Sequence, residues 1–233
     1  MNKITKNKKF NDKHKKILDK HEMRCYTINT RPVGLLFSGG IIMKSVNKAA
    51  IILAKILEVL HWFTTAIMVV VLIASAASAN WLEEILQKGS ETLGNSLTTY
   101  GYEMNVLYSD GKVNMTAILL FSSCAVIILS LMAMVFRNVN LILKTTLGQT
   151  KFSKGQTPFQ KDNTRMVREI GIFFIAVTIV SLIMSIISRA VLGVENAEIS
   201  VNLQSIITGI IVLCLSQSFA YGTELQRQSD ETL

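Results

Sequence analysis

The sequence predicts an all-α integral membrane protein: four transmembrane helices in a bundle, with both termini in the cytoplasm. Three observations lead there. Half of the 233 residues are hydrophobic, and mean hydropathy is +0.40, too apolar for a soluble domain of this length. Four runs are long enough to cross a hydrocarbon core, which takes about 20 apolar residues. The charged residues are sorted to the two sides of those runs.

The runs lie at about 50–79, 113–136, 170–188 and 203–222. In the first, Asp, Glu, Lys and Arg are absent only from its core, Trp62–Ala79; the other three lack them throughout. The chain's two prolines, at 32 and 158, fall outside all four, so nothing interrupts a helical reading. A cleavable signal peptide does not fit, because the first run starts near residue 50.

Orientation follows from charge. Residues 1–48 hold twelve Lys/Arg against three acids, and the link 137–169 holds seven against two. The stretches 80–112 and 189–202 are acidic on balance. The positive-inside rule therefore places both termini and the link in the cytoplasm.

Of the net charge of +8, residues 1–42 carry +7. This basic segment reads as a solvated, disordered tail, and the even charge of the rest argues against direct nucleic-acid binding. Gly39 and Gly40 can also encode a ribosome-binding site just ahead of Met43. On that expectation the membrane domain is 43–233, and 1–42 precedes the true start.

Ahead of the first uncharged core, Lys55, Glu58 and His61 share one helix face near the expected cytoplasmic boundary. Glu58 is to be neutralised by Lys55 or by Arg137 of the second span. His61 reads as an interface residue, although an ordinary pKa near 6.5 permits pH sensing. The first outer loop opens with Asn80 as a cap and Trp81, Leu82, Ile85 and Leu86 as an amphipathic surface helix, broken by Gly89, Gly94 and Gly101, with a turn at 109–112.

Polar stripes run inside the spans. The third carries Thr178, Ser181, Ser185 and Ser188; the second Ser123, Ser130, Ala133 and Arg137; the fourth Ser205, Gly209 and Ser216. Small and hydroxyl residues at this spacing form a packing seam. The rival reading is a hydrophilic pathway lined by Gln204, Thr208 and Gln217, though no span places a charge at mid-membrane.

The stretch "GQTPFQKDNTRMVREIG" precedes the third span. Thr157 is expected to cap a helix starting at Pro158, with Gln160 completing a capping box. Phe159, Met166, Val167 and Ile170 form one face; Lys161, Arg165 and Arg168 form another. The turn reads as an interfacial anchor or a docking surface for a cytoplasmic partner. The tail beyond the fourth span carries Glu224, Asp230 and Glu231, so link and tail are expected to pack as a cap, with Phe159 touching Leu225.

These two segments resemble a bacterial family of small four-span membrane proteins, catalogued as domain of unknown function 2975. The family pattern is G-x-[ST]-P-F-x-x-x-N-x-x-x-[LV]-R-x-I-G, which Thr157, Pro158, Phe159, Asn163, Arg168 and Gly171 match here. Its tail, F-x-x-G-x-x-L-Q-x-E-x-D-x-T-[LV], is matched by Phe219, Gly222, Leu225, Gln226, Asp230, Thr232 and Leu233. Gln228 stands where the family carries an acid. The resemblance implies the four-helix bundle and a regulatory role beside a helix-turn-helix repressor. Candidate interaction residues are therefore Thr157, Pro158, Phe159, Asn163, Arg165, Arg168, Gly222, Leu225, Gln226 and Asp230. Candidate intramembrane polar residues are Glu58, His61, Arg137, Gln204 and Gln217.

Motifs of hydrolases, nucleotide binders and metalloproteases are missing, so no catalytic, cofactor or metal residue is assigned. The expected partners are the lipid bilayer, a helix-turn-helix regulator and a second copy of the chain. A transporter or immunity-type protein acting on a small amphiphile or peptide is the alternative.

Overall fold

The computed structural model describes residues 33–77, 80–93, 96–108, 110–151, 153, 157–193 and 201–231. Expectations for residues 1–32, Gly94, Ser109, the Asp230 side chain, Thr232 and Leu233 fall outside them. The chain forms two compact units, Met1–Lys48 and Ala49–Leu233, and every side-chain contact described below lies within the second.

Five helices and a hairpin follow in order: α1 (Val33–Ala76), α2 (Asn80–Leu93), β1 (Ser96–Thr99), β2 (Tyr102–Asn105), α3 (Met115–Thr146), α4 (Lys161–Leu192) and α5 (Leu203–Glu231). Four of these, α1, α3, α4 and α5, are long and apolar enough to cross a membrane. Two of them overrun their apolar runs on the side of the basic link: α3 continues ten residues past Phe136, to Thr146, and α4 begins at Lys161. A helix continues wherever its backbone bonds can, so polarity of side chains does not end it.

What ends the helices is local. Asn114 caps α3 by accepting from Ala117 N–H at 3.1 Å. At its far end Gly148 takes a left-handed φ of 73°, letting its N–H and that of Gln149 return to the carbonyls of Thr145 and Lys144. Asn202 caps α5 through Ser205 N–H at 3.1 Å.

The core lies between α3, the hairpin and the inner face of α4. Ala117, Phe121, Cys124, Ile128 and Met132 of α3 are buried, as are Val177 and Ile170 of α4. The third-span stripe is inward: Thr178, Ser181, Ser185 and Ser188 are all buried, while Ile179, Ile183 and Ile186 are exposed. In the second-span stripe, Ser123 and Ser130 are only half-buried and bond to carbonyls of their own helix, and Arg137 is exposed.

Helices α4 and α5 run antiparallel and close. A Cβ on Gly209 would lie 2.9 Å from the Gly171 carbonyl oxygen, so the two backbones meet at this glycine pair. Further along, Thr164 lies beside Thr223, and Thr178 beside Asn202. Thus α5 starts level with the middle of α4. The second half of its apolar run therefore lies against the amphipathic first turns of α4. The C-terminal part of α4, residues 179–192 and about 20 Å long at 1.5 Å per residue, has the hairpin beside it instead.

That hairpin was not expected. The loop between α1 and α3 was read as a surface helix and turns; α2 does form, but the chain then turns inward. β1 pairs with β2 from Ser96–Asn105 to Thr99–Tyr102. Tyr102 and Met104 are buried and Glu103 and Asn105 exposed, an alternation visible in "YEMNV". Its buried face packs on α3 and α4. Helix α2 accordingly has two apolar sides: Leu82 is buried inward, whereas Trp81 and Ile85 are exposed.

Candidate functional site

The two segments singled out in the sequence come together at one joint between α4 and α5. Thr157 Oγ1 donates to Gln226 Oε1 at 2.8 Å and accepts from Phe159 N–H at 3.2 Å. This turn uses up the hydroxyl that was to cap a helix at Pro158. Helix α4 therefore starts three residues later, at Lys161, and its N-cap Gln160 makes no side-chain cap bond. Gln160 Nε2 instead donates to the Thr157 carbonyl at 2.9 Å.

Asn163 holds the loop from behind. It is fully buried, and its Nδ2 donates to the Pro158 carbonyl at 2.9 Å. The Phe159 ring then lies on α5, tilted against Phe219 at 5.7 Å between centroids. Gly222 makes this possible, because a Cβ there would sit 2.5 Å from the ring. The ring's neighbours on α5 are Phe219 and Gly222, and Leu225, one turn beyond Gly222, is half exposed. A bare glycine lets the ring approach the helix itself, which no side-chain contact permits.

Among the described residues no ion pair crosses the joint, although Lys161 of α4 acts on Glu224 of α5 through space. Arg165 binds Glu169 at 2.8 Å within α4, and Glu169 also accepts from Asn138 of α3 at 3.1 Å. On α5, Arg227 takes both Glu224 and Glu231, at 2.7 and 2.6 Å. Pairs three or four residues apart on one helix need little side-chain ordering, so they form first. Arg168 and Lys161 stay exposed beside a cleft of about 290 Å³. A second cleft of about 380 Å³ opens between the loop and α5, walled by Thr157, Phe159, Lys161, Gln226 and Glu231.

The remaining candidates separate. Glu58 is buried and bound by Lys55 at 3.0 Å, which answers the choice between Lys55 and Arg137. Arg137 is exposed and reaches only Met134 Sδ, at 3.8 Å. Gln204 and Gln217 are exposed on α5.

His61 moves furthest from expectation. Its Nε2 lies 2.6 Å from the Tyr100 hydroxyl at the hairpin tip, and its ring is 4.9 Å from Phe136. Nδ1 lies 2.8 Å from the Leu57 carbonyl, so Nδ1 carries the hydrogen and Nε2 accepts from the phenol. Burial pushes the Tyr100 phenol above its ordinary pKa, which keeps it a donor. Tyr100 is held twice, since its carbonyl accepts from Asn202 Nδ2 at 3.2 Å. Its φ is 45°, left-handed and costly for a bulky residue. Gly101 follows at φ 87°, and a Cβ there would meet Asn202 at 2.8 Å. Nearby, Tyr102 bonds Ser188 at 2.6 Å, and burial raises its phenol to about 12 against the opposing pull of that bond. The hairpin tip thus joins α1 to α5. The sequence signal for it was the Tyr100-Gly101 pair between two alternating runs.

No family model, curated protein or solved structure matches the chain. The joint itself is therefore the main guide to function.

Proposed function

We propose that this is a four-span bundle of the bacterial cytoplasmic membrane, with both termini cytoplasmic, acting as a small regulatory or interaction protein. Its cytoplasmic partner is of the helix-turn-helix repressor class, and no catalytic step is assigned to it. The observation that carries this reading is the interlock of Thr157, Phe159 and Asn163 with Phe219, Gly222 and Gln226. Those are residues on which the resemblance to domain of unknown function 2975 rests, and their packing supplies a physical reason for both patterns. Among the described residues the loop is held to α5 by the Thr157–Gln226 hydrogen bond and the Phe159–Phe219 ring contact, together about 1–3 kcal/mol. A contact of that size opens readily when a partner or lipid competes for it. The rival transporter reading draws no support from Gln204 and Gln217, which are exposed.

The test uses a photo-crosslinking residue at Leu225 in native membranes, with and without a chemical tether between cysteines placed at Thr157 and Gln226. Cys25, Cys124 and Cys214 are first replaced by Ser. Capture of a helix-turn-helix protein that changes when the tether closes supports the proposal. Lipid adducts alone, tethered or not, refute it.

A further inference from the structure

We infer that the protein holds the hydrocarbon chain of a membrane lipid in an internal cavity between α1, α2, the hairpin and α3. The inference rests on the membrane reading above, but not on the joint. The cavity measures about 200 Å³, and its walls include Met68, Val71, Leu86, Leu97, Val113 and Phe121. That exceeds an engineered cavity of about 150 Å³ that stays dry and binds benzene.

The lining decides the chemistry. Ser122 is the polar residue on the wall, and its hydroxyl donates to the Leu119 carbonyl at 3.1 Å, turned into its own helix. Water needs two to four polar partners, and this wall presents none free, so water is a poor occupant. A ligand with a charged or hydrogen-bonding head is excluded for the same reason. What fits is the end of an alkyl chain.

The position decides the source. The wall formed by α1 is one helix thick. Met68 and Val71 face the cavity, while Ile67 and Val70, their neighbours in sequence, are exposed on the opposite side. Helix α1 is fastened to the rest by side chains, chiefly His61 on Tyr100 and Phe136, whereas α4 packs closely on both α3 and α5. A wall held this way can part to admit a chain from the bilayer. Trp81 and Ile85, exposed on α2 above the cavity, suit the headgroup level, so the chain's polar end stays outside.

The experiment reconstitutes the full chain in nanodiscs containing phosphatidylcholine with a diazirine near the end of one acyl chain. After irradiation, adducts are located by peptide mass spectrometry. Adducts are expected at Leu97, Val113 or Phe121, as well as at the exposed Ile67 and Val70. Two variants fill the cavity, Ser122→Leu and Val71→Phe; in either, the internal adducts should fall severalfold while those at Ile67 and Val70 persist. Internal residues unlabelled in the wild type, or labelled equally in a variant that still labels Ile67 and Val70, overturn the proposal. Labelling by a free diazirine alkane but not by the lipid assigns the cavity to a small apolar solute and overturns it too. Absence of adducts at Ile67 and Val70 themselves overturns the membrane reading, and this proposal with it.

Discussion

Alanine at Gly209 and alanine at Gly222 should differ in stability, although each adds one methyl group inside α5. Both replace a helix-interior glycine, which contributes about 1 kcal/mol in favour of the variant. That term cancels in the comparison. At 209 the new Cβ would meet Ile175 Cγ1 at 2.7 Å and the Gly171 carbonyl oxygen at 2.9 Å, where ordinary contact begins at 3.4 Å. The neighbours must retreat by roughly half an ångström or more, and one of them is backbone. Helices α4 and α5 therefore have to separate, an overpacking cost of about 1–3 kcal/mol. At 222 the obstructing atoms belong to the Phe159 ring, 41% exposed, which can swing into solvent. The loss there is an aromatic pair, about 0.5–1.5 kcal/mol. Gly209→Ala should thus be the less stable by about 1 kcal/mol, with Gly222→Ala close to wild type. Reversible unfolding in mixed micelles, followed by helical circular dichroism, measures the difference. Equal stability, or the opposite order, refutes the close crossing at Gly171 and Gly209.

The hydroxyl seam makes a similar contrast, because Ser185 is fully buried and Ile183 is half exposed. Ser185→Leu should unfold at lower denaturant and Ile183→Leu should not; matching midpoints would mean the stripe packs against nothing. Tyr100→Phe leaves His61 Nε2 without its 2.6 Å donor and should cost about 0.5–1.5 kcal/mol in the same assay, with no loss if the phenol is dispensable. For orientation, a cysteine replacing Lys112 is expected to react with an impermeant reagent on intact cells, and one replacing Lys151 only after lysis. Both positions are exposed, so the reverse pattern would invert the arrangement.

Hydrophobic run length and the inward face of the third span were legible in the sequence, because both follow from periodicity within one helix. Four apolar helices of spanning length, the buried Thr178–Ser188 stripe and the Lys55–Glu58 pair are local consequences of residue order. The meeting of link and tail was legible too, since a short connection makes neighbours of successive helices. Three features were decided only by the tertiary structure. The register of α5 against α4 depends on where Gly171 and Gly209 can touch, and a sliding distance leaves no trace in either helix alone. The Phe159 ring settles on Gly222 and Phe219 because glycine leaves a hollow that only the partner helix reveals. And His61 was drawn from an assumed boundary to the hairpin tip, because Tyr100 is 39 positions away along the chain. Contacts between distant segments are set by how the helices stack, and there the order of residues in any one helix stops being informative.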